Sequence, residues 1–458
     1  MARGKKAAAT LTPEEKLKQV LVLIDEQPYE IPENWCWTSI GRIAHKISDG
    51  SHNPPPNSGE GIPLLSATNI HDRIIDFENT QRWVTEEQFE TENQRTNIEV
   101  GDVLLTIVAT IGRVAVVESD QKFALQRSVS VIKPKINSHY LSYYLESPFV
   151  QTFMVSNAKG TAQKGFYLKS LEELVCAVPP LAEQQRIVDR IESIFAKLDE
   201  AKEKAQAVVD GFELRKSAIL HKAFTGELTA QWRQEHGVEL DSWEESTVGA
   251  ISDVKGGKRV PKGMSLTDVD TGHPYIKAGN LKQGTVIDDG MMYVPDEVLN
   301  YIKNYTVNAG DVYITNVGAC IGDCGVIPEK YDGANLTENA VKMTNLKCDS
   351  RFLALHLASG TVQQGIKNLI ASATLGKLSI ANIKTIPVAL PTDDEQTEII
   401  RIVDSVFYKE QQAKDAAEAV INQIDTMKKA VLARAFRGEL GTNDPAEESA
   451  MELLKSVL

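Results

Sequence analysis

Residues 183–212, EQQRIVDRIESIFAKLDEAKEKAQAVVDGF, read as one long helix with a narrow apolar seam. Apolar or small side chains fall at Ile187, Ile191, Ile194, Leu198, Ala201, Ala205, Val208 and Phe212. Arg215 interrupts the row and Ile219 resumes it. The steps alternate between four and three, which is the seam of a coiled coil. Moved on by 212 positions, the row recurs as Ile399, Val403, Val406, Glu410, Ala413, Ala417, Val420, Ile424, Met427 and Val431. Both stretches follow a proline, Pro180 or Pro391. Both stop at one phrase, Ala223-Phe224-Thr225-Gly226-Glu227-Leu228 and Ala435-Phe436-Arg437-Gly438-Glu439-Leu440. Proline before the first turn and glycine past the last are ordinary helix punctuation.

A helix of roughly 40 residues is a rod of about 60 Å, and so narrow a stripe needs a partner helix. The second copy supplies one. The segment between the rods leaves the end of the first and enters the start of the second, so one compact intervening domain makes the pair antiparallel. Matching the middles sets Ala201 opposite Ala417, Ala205 opposite Ala413 and Leu198 opposite Val420, with Glu410 turned to water beside Val208.

The rods punctuate a chain that says the rest of itself twice as well. Trp35-x5-Gly41-x-Ile43 matches Trp243-x5-Gly249-x-Ile251, and Pro63-x3-Ala67-x-Asn69-Ile70 matches Pro274-x3-Ala278-x-Asn280-Leu281. Gly101-Asp102-Val103 matches Gly310-Asp311-Val312, and Ile111-Gly112 matches Ile321-Gly322. In the first copy, strands are expected over 62–65, 74–77, 102–108, 114–118 and 128–132, and a helix over 140–156. The layout is an N-terminal arm at 1–33, a first domain at 34–180, and a spacer helix with linker at 181–230. A second domain at 231–390, a second spacer helix at 391–441 and a tail at 442–458 complete it. Fold class is therefore α+β: two α/β domains separated by two long antiparallel helices in a coiled coil, an internal pseudo-twofold repeat. Thr12 is placed to cap, and Pro13 to open, a short helix bearing Leu17, Val20, Leu21 and Ile24. Pro445-Ala446-Glu447-Glu448 echoes it before Met451, Leu453 and Leu454, and the two terminal helices are expected to pack together.

The loops do not repeat. Asp49-Gly50-Ser51-His52-Asn53-Pro54-Pro55-Pro56 faces Lys255-Gly256-Gly257-Lys258-Arg259-Val260-Pro261-Lys262. Thr110-Ile111-Gly112-Arg113 faces Cys320-Ile321-Gly322-Asp323, and Leu125-Gln126-Arg127-Ser128 faces Leu336-Thr337-Glu338-Asn339. A shared frame with unlike loops suits two readers of different short targets. Amide and guanidinium groups on base edges would do the reading. The candidates are Ser51, His52, Asn53, Arg113, Arg127 and Lys164 in the first domain. In the second they are Lys255, Lys258, Arg259, Lys262, Asn316 and Lys377.

Composition narrows the classes. The 458 residues are 42% hydrophobic and 24% charged, as in globular chains, and no apolar run approaches a membrane span. Five scattered cysteines read as free thiols in a reducing cytoplasm. Cys320, Cys324, Cys348 and His356 are too loosely spaced for zinc. A net charge of −14 argues against a nonspecific nucleic-acid binder. It suits a chain that binds weakly alone and borrows phosphate contacts from a basic partner. No G-x-x-x-x-G-K-[ST] and no glycine-rich dinucleotide turn occurs. Asn53-Pro54-Pro55 has Pro56 where an amino-methyltransferase motif carries an aromatic ring. A free-standing enzyme is disfavoured.

Pro179-Pro180-Leu181-Ala182-Glu183-Gln184-Gln185-Arg186-Ile187 and Ala223-Phe224-x-Gly226-Glu227-Leu228-Thr229 resemble the phrases that bracket the spacer helices of type I restriction-modification specificity subunits. Pro63-Leu64-Leu65-Ser66-Ala67-Thr68-Asn69-Ile70 and Gly160-Thr161-Ala162-Gln163-Lys164-Gly165 resemble their target recognition domains. The likeness covers nearly the whole chain. Thr392-Asp393-Asp394-Glu395-Gln396 departs from the proline-leucine-alanine form. What the resemblance implies is a noncatalytic reader of a split double-stranded DNA sequence, its rods fixing the unread gap. It also implies two methylation subunits, two restriction subunits and no membrane. S-adenosylmethionine, ATP and Mg would belong to those partners. The alternative is an architectural or regulatory DNA-binding protein acting alone.

Overall fold

The computed structural model describes residues 13–160, 164–371 and 376–457, so the expected Thr12 cap and the centre of the Gly160–Gly165 phrase lie outside the described residues. The chain divides into two compact units, Met1–Lys204 with Ala419–Leu458, and Ala205–Glu418.

In the first unit a four-stranded antiparallel sheet runs Ala44–Asp49, Val129–Pro134, Val103–Thr106, Val114–Val116 in spatial order. Ile62–Leu65 lies in a smaller sheet, antiparallel to Trp83–Val84 and parallel to Ala124–Leu125. Cys36–Ser39 pairs with Val175–Val178, the strand that leads into the first long helix. The helix expected over 140–156 is two helices, Ser138–Glu146 and Pro148–Ser156. Pro148 has no N–H to continue the first helix and forces Ser147 into extended geometry (ψ 148°); the Ser147 hydroxyl then caps the second helix. The terminal helices Pro13–Lys18 and Ala450–Val457 pack on each other, burying Leu17, Ala450 and Leu454.

The second unit repeats this order. Its sheet runs Asp253–Gly256, Ala340–Thr344, Val312–Thr315, Cys324–Val326, and Pro274–Ile276 lies between Met292–Tyr293 and Asn335–Leu336. One buried ion pair is repeated too. Lys133 reaches Asp102 at 2.9 Å in the first sheet, and Lys342 reaches Asp311 at 3.0 Å in the second.

The long helices start on matched anchors. Glu183 is fully buried and accepts the Trp35 indole N–H at 2.7 Å; Glu395, also fully buried, accepts that of Trp243 at 2.9 Å. A carboxylate in the first turn also complements the positive end of the helix. The next residue bolts helix to domain. Gln184 donates to Pro179 O and accepts from Asn137 N, and Gln396 donates to Pro391 O and accepts from Asp349 N. The departure at Thr392-Asp393-Asp394 thus leaves the working pair, Glu395 and Gln396, intact.

Two expectations about the rods need correcting. The second helix is continuous over Asp393–Ala435, but the first is divided by a turn at Gly211 into Leu181–Asp210 and Phe212–Phe224. Arg215 folds back there and donates to Val208 O at 2.8 Å; a Cβ on Gly211 would lie 2.5 Å from that guanidinium. The pairing is antiparallel in each unit, but its register is slipped by about two turns. Arg215 Nε meets Glu410 Oε2 at 2.6 Å, so Glu410 faces its opposite charge instead of turning to water. In the first unit Lys428 meets Asp199 at 2.5 Å, where matched middles would have set it by Arg190.

The seam is also not buried along its whole length. Ile187, Ile191, Ile399, Val403 and Ile424 are fully covered, Ala205 and Ala417 nearly so, whereas Ala201 and Ala413 are exposed and Val420 is 43% exposed. Ile194, Leu198, Val208 and Val406 are half-buried. The covered ends pack against the domains: Ile187 and Ile191 share a core with Tyr140, Tyr143 and Tyr144, and Ile399 and Val403 share one with Phe352 and Leu353. Two helices alone cover only a narrow strip of each other.

Candidate nucleic-acid interface

Strand register brings the variable loops to one end of each large sheet. In the first unit Asp49 pairs with Ser130, Val129 with Thr106, and Leu105 with Val114, so loops 50–53, 126–128 and 107–113 emerge together. In the second, Gly256 pairs with Val341, Ala340 with Thr315, and Ile314 with Cys324, which gathers loops 257–262, 337–339 and 316–323. Backbone hydrogen bonds from Ala109 N to Lys164 O at 3.3 Å and from Leu378 N to Asn316 O at 3.0 Å draw in the segments carrying Lys164 and Lys377.

Two of these loops cross at a glycine. A Cβ on Gly50 would lie 2.2 Å from Leu125 O, and one on Gly257 would lie 2.1 Å from Thr337 O. Backbone meets backbone there, so no side chain fits. The crossing is stitched by Ser51 N to Leu125 O at 2.7 Å and Arg127 N to Ser51 O at 2.9 Å, and by Lys258 N to Leu336 O at 2.8 Å. This matches Ser51 with Lys258, His52 with Arg259, and Arg127 with Glu338.

At the first crossing Ser51 is buried, while His52, Asn53, Arg127 and Lys164 are exposed. His52 Nε2 lies 2.7 Å from Asp49 Oδ2, and Asp49 also takes the Arg95 guanidinium. Arg113 stands on the edge strand's loop, its guanidinium turned toward Ile70 O at 3.3 Å. At the second crossing Lys258, Arg259, Lys262 and Lys377 are exposed. Lys258 Nζ lies over the Tyr305 ring at 5.5 Å. Arg259 Nε donates to Glu338 Oε1 at 2.5 Å. Burial pushes the Glu338 carboxyl up, but the Arg259 guanidinium, its own backbone N–H and the Thr337 hydroxyl together hold it below the usual carboxylate range. Asn316 Oδ1 is buried with no partner among the described residues. Lys255 is the candidate the loops do not gather: it lies within strand Asp253–Gly256 and its ammonium turns back to Asp253 at 3.3 Å.

Sequence reading looks for donors in the facing loops, so it omits the carboxylates Asp49 and Glu338, and it omits Arg95 because that residue lies outside those loops, in helix Glu86–Thr96. The signal was there in the facing phrases: Arg127 and Glu338 occupy one position with opposite charge. The ends present guanidinium, ammonium, imidazole and amide groups, which hydrogen-bond to base edges and phosphates. Among the described residues, no three His, Cys, Asp or Glu side chains gather as a metal site, and no helix is long and apolar enough to cross a membrane.

A duplicated frame with variable loops at one sheet end, each copy seated on paired helices, defines a tandem recognition module. The family model for the type I restriction modification DNA specificity domain matches residues 52–209 and 241–422, and the chain belongs to that family. DNA sequence specificity is the role that membership carries, and the reading as a lone architectural binder is not favoured. The EcoBI specificity subunit of Escherichia coli is 30% identical over 253 residues, 53% of each chain, so this alignment spans about half of that relative. The EcoKI specificity subunit of Escherichia coli strain K12 is 21% identical over 445 residues, 91% of this chain and 92% of that one. In fold, the chain matches the HsdS subunit from Thermoanaerobacter tengcongensis with a TM-score of 0.61 at 17% identity, covering 91% of this chain and 100% of that one. A chain from a structural study of complex assembly and conformational transition in the type I R-M system matches with a TM-score of 0.63 at 17% identity, covering 90% and 100%.

Proposed function

We propose that the chain reads a bipartite double-stranded DNA target, each domain docking the loop end of its large sheet in the major groove over one half-site. The observation that carries this is the pair of matched loop ends: one backbone crossing in both, stitched by equivalent hydrogen bonds, but with different side chains beyond it. The long helices would hold the readers at a spacing that sets the unread gap, since half-sites on one face of B-DNA recur roughly every 34–36 Å. The relatives' names support assembly into a restriction enzyme. Two methylation and two restriction subunits in the cytoplasm would then carry S-adenosylmethionine, ATP and Mg, with this chain supplying specificity and no chemistry. A net charge of −14 fits a reader whose phosphate contacts come largely from partners.

The test is to replace residues 34–179 with the corresponding domain of a relative and map adenine methylation by the assembled complex. One half of the target changes and the other stays. A change in both halves, or in neither, overturns the modular reading.

A further inference from the structure

We propose that Arg259 reads a guanine in the half-site of the second reader, and that Glu338 is the residue positioning it. This rests on the DNA-reading function above and names the chemistry of one of its contacts.

Arg259 leaves the loop crossing one residue after Lys258, whose carbonyl is tied down by the Tyr275 hydroxyl at 2.8 Å. Both backbone groups of the residue before the arginine are therefore tied down, its carbonyl by that bond and its N–H by Leu336 O at 2.8 Å. Its side chain is 77% exposed, yet its Nε is held on Glu338 Oε1 at 2.5 Å. Glu338 is itself secured, its other oxygen taking the Thr337 hydroxyl at 3.2 Å. Engaging Nε leaves the two terminal nitrogens as a fork, and a fork of two parallel N–H donors fits O6 and N7 on the major-groove edge of guanine.

A phosphate contact is the rival use of such an arginine. An attached carboxylate cancels the charge that phosphate binding needs, whereas Lys262 in the same loop pairs with no carboxylate among the described residues. The first reader has the same device in different residues. His52, at the position of Arg259, is held through Nε2 by Asp49 at 2.7 Å, with its other ring nitrogen left over for a contact. The equivalent of Glu338 is Arg127, which has no ion pair among the described residues; His52 instead meets a carboxylate three residues back, at the end of its own strand.

The experiment maps methylation by the assembled complex over a library of target sequences, for the native chain, Arg259→Lys, Glu338→Gln and Glu338→Asp. A bidentate arginine–guanine pair discriminates roughly 5- to 150-fold against the wrong base. Arg259→Lys is expected to lose most of that at one guanine of one half-site, with the other half-site unchanged. Glu338→Gln relaxes the same position more weakly, and Glu338→Asp restores part of it, which a purely structural role would not produce. Unchanged preferences overturn the proposal, and so does a uniform loss across the whole half-site, which marks a phosphate contact. Thermal melting tracks folding; should Glu338→Gln melt early, the exposed Arg259→Lys decides alone. If replacing residues 34–179 fails to move one half-site, the broader reading falls; if that replacement works and Arg259→Lys changes nothing, only this inference falls.

Discussion

Removing the carboxylate from Glu395 should destabilise its unit more than the same change at Glu183, although the two are matched in position, burial and indole partner. Glu395 Oε1 accepts from the Thr229 hydroxyl at 2.6 Å and from Arg233 Nη1 at 2.7 Å, while Oε2 accepts from Trp243. The Arg233 side chain is only 8% exposed, so Glu395→Ala strands a buried cation. Such a break costs about 3–5 kcal/mol. Glu183 is held by neutral donors: the Trp35 indole at 2.7 Å, Asn443 Nδ2 at 2.9 Å and the Thr442 hydroxyl at 3.3 Å. Leaving such donors unsatisfied costs about 1–3 kcal/mol. Each change deletes the same atoms from a fully buried site, so the cavity terms largely cancel and a difference of about 2 kcal/mol remains. Urea unfolding followed by tryptophan fluorescence measures it, with hydrogen exchange over 229–243 and 442–450 assigning each loss to its unit. Replacing both members, Arg233→Met with Glu395→Met, should recover the part due to the stranded cation and leave the cost of the unpaired Trp243 and Thr229 donors. Equal costs for the two alanine variants, or a larger one for Glu183, would refute the reasoning.

The polar interruptions of the two helical seams should prove coupled: a double-mutant cycle on Arg215 and Glu410, which pair at 2.6 Å and are 37% and 22% exposed, should give roughly 0.5–1 kcal/mol. Additive costs would show that the pair does not help set register. His356 gives a pH dependence. Burial depresses its pKa below the ordinary 6.5, against a smaller upward pull from Pro387 O at 2.9 Å. The folded state therefore holds the ring neutral, and the stability present above the unfolded pKa is lost as pH falls below about 6.5, at no more than ~1.4 kcal/mol per pH unit. His356→Asn should flatten that part of the curve; curves that stay parallel to the native one count against it.

Much of the frame was legible because repetition does the work of an alignment. Trp35 and Trp243, Gly41 and Gly249, Asn69 and Asn280 mark places where one backbone geometry is needed twice. Asn69 and Asn280 each close the same short turn, accepting Ser66 N at 3.0 Å and Lys277 N at 3.1 Å. Register was illegible for a related reason. A seam of small residues such as Ala201, Ala205, Ala413 and Ala417 fits several offsets almost equally well. The deciding terms are then specific pairs, Arg215 with Glu410 and Lys428 with Asp199, which the periodicity of either helix alone does not show. The break at Gly211 was hidden likewise, because glycine inside a helical pattern is tolerated until a side chain folds back over it. At the loop ends the donors could be picked out by type. Of their carboxylate supports the sequence shows only the charge reversal between 127 and 338; Glu338 becomes a support once the crossing at Gly257 sets it beside Arg259.

The crossing glycines also explain how such a frame can change its target without losing its fold. Gly50 and Gly257 fix where two loops meet through backbone atoms alone, so the crossing does not depend on which side chains point outward beyond it. Leu125 and Leu336, just before the variable positions, are buried, whereas Arg127 is exposed and Glu338 only half-buried. Stability is held by the strands and by anchors such as Glu183 and Glu395; the outward positions are left to hydrogen-bonding chemistry. Charge at those positions can then reverse, as between 127 and 338, provided a nearby cation or anion is rearranged to match. Asp49 takes His52 in one reader and Glu338 takes Arg259 in the other, so each crossing keeps a carboxylate beside its outward nitrogen group while drawing it from a different segment.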